Sequence, residues 1–169
     1  FGGLAVTTVL AWLAVLQFPD HRLKVVFLDV GQGDAIFVQT PQGAQMLIDG
    51  GPAASNLLSR LGQEMPFWDR SLDLVILTHP DSDHLSGLVP VLERYSVRAV
   101  MAGADLPENE LARAWEQALA AAGAERIQPG AGTRIESSDG VSLDVLHPDP
   151  GTSFAGADSN DSSLVMRLQ

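Results

Sequence analysis

The run Leu74-Val75-Ile76-Leu77-Thr78 and the hexapeptide behind it, His79-Pro80-Asp81-Ser82-Asp83-His84, constrain this chain more than any other stretch. Four consecutive aliphatic residues belong to a buried strand. A loop leaving the end of such a strand can turn two imidazoles and two carboxylates inward together. Mixed nitrogen and oxygen donors suit Zn²⁺ or Mn²⁺, ions able to activate water at neutral pH. His79 and Asp81 are two apart and share one side of an extended segment. Asp83 and His84 fall just after the turn and can address a second centre. Capping of a helix N-terminus would account for one or two of these residues, but not for two histidines. The expectation is a site for up to two divalent ions, with hydrolysis as its chemistry.

The surrounding pattern defines a fold class. Val25 to Val30 is a nearly continuous apolar run, as expected of a strand covered on both faces. Gly31-Gln32-Gly33-Asp34 breaks it, Ala35 to Val38 resumes it, and Thr40-Pro41-Gln42-Gly43 is a turn before Met46-Leu47-Ile48. These three strands form an antiparallel meander. Helical spacing follows: Leu57, Leu58 and Leu61 behind a candidate cap at Ser55, then Leu88, Val91, Leu92 and Tyr95. The clearest helix starts near Pro107, carries Glu108 and Glu110 in its first turn, and ends at Gly123. Strands return at 134–136 and 141–145 around the turn Ser137-Ser138-Asp139-Gly140, and again from Leu164, after a Gly/Pro/Ser-rich loop from Asp149 to Asp158. Strands, then mixed αβ units, then strands indicate an α/β sandwich: two layers of sheet with outer helices.

Composition narrows the function classes. The formal charge is −11, with one lysine and nine scattered arginines, so no surface is built to coat nucleic acid. A nucleic-acid substrate would have to be gripped through metal ions or a few local arginines. Cysteine is absent, which excludes disulfides and thiolate zinc sites. No charge appears from Phe1 to Pro19. Nineteen residues at about 1.5 Å each give roughly 28 Å, close to the hydrocarbon thickness of a bilayer. Residues 1–19 therefore read as the end of a transmembrane helix, and 23–169 as the folded domain. Phe1 lies inside an apolar stretch and Gln169 directly follows a strand-like run, so a piece of a longer protein is expected.

Other polar positions carry two readings each. Asp49 ends a buried strand beside Gly50 and Gly51; it either fixes the tautomer of a ligand histidine by hydrogen bonding or closes an Asx turn. Asp34 caps its glycine turn or points at the site. His147, ahead of Pro148, is a structural histidine or a ligand. Asn160, Asp161 and Ser163 introduce the last strand, by turn chemistry or as a polar lining of the metal pocket.

Three blocks then resemble one family: Phe27-Leu28-Asp29-Val30-Gly31-Gln32-Gly33-Asp34-Ala35-Ile36, Leu47-Ile48-Asp49-Gly50-Gly51, and Thr78 through Gly87 with its His-x-Asp-x-Asp-His core. They are similar to the metallo-β-lactamase-fold domain of ComEC-type DNA-internalisation competence proteins. The likeness continues to Asn160-Asp161-Ser162-Ser163-Leu164-Val165. It implies a metallo-β-lactamase-type αββα sandwich, of which this chain holds the N-terminal part, following a multi-helix membrane channel. It implies His79 and Asp81 as ligands of a first metal, Asp83 and His84 on the second-metal side and in catalysis, and Asp49 supporting them. Asp81 stands where most of the superfamily has His, and an oxygen donor there tilts the preference from Zn²⁺ toward Mn²⁺. The family continues with a Gly-Asp strand end supplying a bridging carboxylate, and with a His-His pair. Both would lie beyond Gln169, so this stretch alone should be poorly active.

The function expected from the resemblance is hydrolysis of phosphodiesters in the DNA strand that does not enter the cell. The implied partners are DNA, the membrane and the rest of the competence channel; the implied location is the cell membrane, with the domain on its extracytoplasmic side. Two alternatives stand beside it: a membrane-attached hydrolase of small esters, lactones or nucleotides, and a non-catalytic scaffold domain of the channel.

Overall fold

The computed structural model describes residues 3, 5–8, 21–103, 106–152 and 159–169. Most of the uncharged run 1–19, and with it the expected transmembrane helix, lies outside the described residues. No helix among them is long and apolar enough to cross a membrane.

Six strands form the main sheet in sequence order: β1 (Lys24–Phe27), β2 (Ile36–Gln39), β3 (Gln45–Ile48), β4 (Ser71–Leu77), β5 (Ser96–Ala102) and β6 (Glu125–Ile127). The first three pair antiparallel through tight turns, as the glycine and proline positions predict. From β3 onward every pairing is parallel. Parallel neighbours need a crossover. These are α1 (Ala54–Glu64), the pair α2 (Ser82–Leu85) and α3 (Leu88–Arg94), and α4 (Glu110–Ala122). A second, antiparallel sheet follows: β7 (Arg134–Glu136), β8 (Ser142–His147) and β9 (Val165–Leu168), the last preceded by a 3-10 turn at Ser159–Ser162.

The sheet buries both faces, so two apolar clusters form. One joins Phe37, Leu47, Val75 and Leu77 to Leu57, Leu61, Leu88, Trp115 and Leu119 of the helices. The other joins Val38, Met46, Leu74, Ile76, Ala99 and Met101 to Leu143 and Val145 of the second sheet and to Leu164, just before β9. The aliphatic run of β4 feeds both clusters, which is why it lacks polar alternation.

Several local expectations need correction. β1 is not covered on both faces: it is an edge strand, with Val25 43% and Phe27 76% exposed. Ser55 does not cap α1; it is the second helical residue, behind Ala53, which makes no side-chain cap. Helix α4 starts three residues after Pro107, because the Asn109 side chain accepts the Ala112 N–H at 2.8 Å. Glu108 therefore lies outside the helix. Its C-terminal stop is as expected, with Gly123 in the left-handed region at φ 64°.

Candidate metal centre

Asp49 follows β3 directly, and Thr78 and His79 follow β4. These strands are parallel, with Ile48 opposite Ile76, so both deliver their last residues to the same end of the sheet. The Asp49 N–H closes the ladder on the Ile76 carbonyl at 2.8 Å. Beyond that point the backbone of Asp49 turns to φ 58°, a conformation Asp tolerates better than most residues. This turn aims its carboxylate across the ends of the strands.

That carboxylate is buried, 2% exposed, and organises the site. It accepts the Thr78 N–H at 2.8 Å and the Thr78 hydroxyl at 2.6 Å. It also accepts His84 Nδ1–H at 2.9 Å. The Thr78 hydroxyl has one proton, which goes to Asp49. Its oxygen, 3.0 Å from His79 Nδ1, therefore accepts from that nitrogen. Both imidazoles, in their neutral forms, thus carry the proton on Nδ1 and present Nε2 as a lone-pair donor. Of the two sequence readings of Asp49, the hydrogen bond to a ligand histidine is the one found, and Thr78 joins it as a residue with no expectation attached. Its role depends on the parallel pairing of β3 with β4, which brings Asp49 beside it.

The loop geometry follows from close backbone packing. A Cβ on Gly87 would lie 1.9 Å from the Gly50 carbonyl oxygen, so the two turns meet where no side chain fits. Gly50 N–H donates to the His84 carbonyl at 2.7 Å, and Gly87 N–H to the Gly51 carbonyl at 3.0 Å. Gly33, at φ 122°, lets the β1–β2 turn press against the backbone of Asp83. Asp81 sits at the position preceding α2, yet its side chain makes no capping bond there. Capping therefore does not explain that carboxylate.

His79 Nε2 lies 3.6 Å from an Asp81 carboxylate oxygen, and His84 Nε2 lies 4.0 Å from one of Asp83. Two donors on one ion at bonds of about 2.1 Å and a tetrahedral angle stand about 3.4 Å apart, so both pairs fit chelation with small side-chain rotations. The rings themselves are close, with centroids 3.9 Å apart. The residues fit a divalent metal pair by pair. Among the described residues, however, no group of three or more metal-binding side chains converges.

The electrostatics favour cations. The Asp49 hydrogen bond raises the pKa of His84 above its ordinary value; burial opposes this, and the charges of Asp49, Asp83 and Asp34 reinforce it. Asp34 is thus near enough to act on His84, although it is solvent-exposed and its carbonyl, not its carboxylate, takes the Gly51 N–H at 2.9 Å.

The other expected residues hydrogen-bond among themselves. His147 Nε2 lies 3.0 Å from the Asp161 carbonyl oxygen, a bond that ties the end of β8 to the 3-10 turn. Asn160 receives the Ser163 N–H on its carbonyl at 3.2 Å, which is turn chemistry. The segment reaches the site through its backbone, where Leu164 N–H donates to the Thr78 carbonyl at 3.0 Å.

Fold and site together describe a family. Residues 28–157 match the metallo-β-lactamase superfamily, and the chain belongs to it. Members of that superfamily are typically metal-dependent hydrolases. ComE operon protein 3 of Bacillus subtilis (strain 168) is 29% identical over 189 residues, covering 99% of this chain and 23% of that protein. The chain thus spans under a quarter of that relative's length. Among solved structures, the peroxy diiron species of chemotaxis sensor ODP has a TM-score of 0.57 at 16% identity, covering 87% of this chain and 55% of that one. The Rm3 metallo-β-lactamase has a TM-score of 0.54 at 17% identity, covering 90% and 58%. The metallo-β-lactamase fold protein YhfI from Bacillus subtilis has a TM-score of 0.55 at 15% identity, covering 87% and 57%. At such identities these likenesses speak for the fold alone, which is the expected metallo-β-lactamase type.

Proposed function

We propose that this domain is a divalent-metal-dependent phosphodiesterase attached to the cell membrane as part of a DNA-uptake channel, acting on the strand that is not transported. The observation carrying this reading is the Asp49 carboxylate, which holds His84 directly and His79 through the Thr78 hydroxyl, leaving each Nε2 turned to a ligand role. The likeness to ComE operon protein 3 along nearly the whole chain supports the channel context. Neighbours of the same fold, a diiron species and a metallo-β-lactamase, support metal use in general. The uncharged run 1–19 supplies the membrane attachment in this reading.

In it, His79 and Asp81 would hold one ion, and Asp83 and His84 a second, Zn²⁺ or Mn²⁺. Bound there, such ions would supply Lewis acidity toward a phosphoryl oxygen. Asp49 and Thr78 keep both rings from rotating, and Asp34 adds negative potential that concentrates cations. The same carboxylates would repel a bare polyanion, a charge that bound cations would offset.

The lack of a three-donor cage among the described residues favours a second reading, a scaffold that holds no metal. Manganese binding by the whole membrane protein, followed by electron paramagnetic resonance, together with cleavage of labelled single- and double-stranded DNA, separates the two. The expected outcome is Mn²⁺-dependent cleavage that Asp83→Ala lowers by at least about 100-fold, and Mn²⁺ affinity that Thr78→Val weakens by about 10-fold. Unchanged cleavage in Asp83→Ala would reject the assignment. Metal binding with turnover of esters or nucleotides but not DNA would move the substrate to small molecules.

A further inference from the structure

The end of the sandwich opposite the histidine loop carries two large aromatic side chains that no core absorbs. Phe67 is 67% and Trp68 48% exposed, in the turn between α1 and β4. Their rings meet edge to face at 4.7 Å. The turn that presents them is firmly built. The Asp69 carboxylate accepts the Gln45 side-chain N–H at 2.6 Å, the Ser71 N–H at 3.0 Å and the Ser71 hydroxyl at 2.6 Å. The Asp69 N–H closes on the Pro66 carbonyl at 2.9 Å. The rings are held outward by a tied turn and not by a loose one.

This turn adjoins the point where the N-terminal sequence joins the fold. Lys24, the first residue of β1, pairs with Glu64, the last residue of α1, at 2.6 Å. Phe67 is three residues further on. By a second route, Lys24 lies opposite Gln39, Gln39 opposite Gln45, and Gln45 reaches Asp69. Between the uncharged run 1–19 and β1 stands Leu23, itself 42% exposed. Leu23 thus adds an exposed apolar side chain beside Lys24, in a stretch that also holds the polar Asp20, His21 and Arg22.

We propose that Phe67 and Trp68 are an interfacial membrane contact, resting at headgroup level on the bilayer that residues 1–19 enter. Trp and its neighbours in that role combine an apolar ring with tolerance of a wet edge. Two rings on a turn tip are too small for a specific protein interface, which takes about 800 Å² from each partner, but they suffice for a lipid surface that demands no shape match. β4 runs from this turn to the histidine loop, and its seven residues span about 20 Å. The contact would hold the metal centre that far above the membrane, facing away from it.

This inference rests on the membrane attachment proposed above, and the test keeps the two apart. The chain has no cysteine, so single nitroxide labels can be placed through Phe67→Cys, Trp68→Cys and, at the opposite end, the exposed Gln32→Cys. The full protein is reconstituted in vesicles of phosphatidylcholine and phosphatidylglycerol at about 3:1, a mixture that offers both an apolar interface and anionic headgroups. Collision with oxygen and with a nickel chelate is then read for each label. Labels at 67 and 68 should show an oxygen-to-nickel ratio several-fold above that at 32. A ratio equal to that at 32, in protein that still sediments with vesicles, overturns the contact and leaves the attachment standing. Labels shielded from both reagents would mean a protein surface is seated there, which also overturns it. Protein that does not sediment refutes the attachment and the contact together.

Discussion

Phe37 and Phe27 stand on neighbouring strands of one sheet, yet Phe37 is wholly buried and Phe27 is 76% exposed. Their strands pair with Phe37 opposite Val26 and Phe27 opposite Ile36, so the two rings project from opposite faces. Helices α1, α3 and α4 close the face that Phe37 enters. The three-stranded sheet closes the other face only as far as Val38 on β2, and leaves Val25 and Phe27 on β1 uncovered. The lesson is that an apolar strand can be half of a core without its second half being supplied by the same residues. The closed face also carries the candidate site, because α2 and α3 are packed into it by Leu85 and Leu88.

Breaking the closed face should have the largest effect. Phe37→Ala should cost about 3–5 kcal/mol in chemical denaturation, a large share of a typical domain's stability. A loss under about 1 kcal/mol would show that this face is less tightly packed than its burial indicates.

At the rim of that face, Asp49→Asn should cost about 2–3 kcal/mol, because the amide cannot accept from Thr78 and His84 together. It should also remove a pH dependence. In metal-free protein the pKa of His84 is raised above 6.5, chiefly by the Asp49 hydrogen bond. The resulting stabilisation is fully present below 6.5 and is lost as the pH rises through the raised value. Thermal melts in chelator from about pH 6 to 9 should decline for the native chain and run flatter for Asp49→Asn. Parallel curves for the two proteins would remove Asp49 as the cause.

The smallest effect belongs to the open face. Phe27→Ser should shift stability by no more than about 0.5 kcal/mol by the same denaturation measurement. A loss approaching that of Phe37→Ala would mean that something covers Phe27 in solution, and the contrast between the faces would fail.

The features legible in the sequence were those decided locally. The meander turns, the Gly123 stop and the Ser137–Gly140 hairpin each follow from one or two residues with special backbone freedom. The histidine loop was legible because its donors are packed into six residues. What covers a strand is decided by distant elements, so the apolar run of β1 implies burial on both faces when only one is covered. Asn109 was overshadowed by Pro107, a stronger but misplaced start signal. Thr78 carried no mark of its own. Its role exists only because β3 and β4 run parallel and bring Asp49 beside it, and strand pairing across that distance leaves no local signature.

The contact between Gly50 and Gly87 has a bearing on how freely this domain can vary. A single methyl group at Gly87 would collide with the Gly50 carbonyl and wedge the two turns apart, drawing Asp49 away from His84. Ligand residues can sometimes be exchanged for others that bind. An empty space between two backbones has no substitute, so the positions with nothing to offer chemically are the least replaceable in the centre.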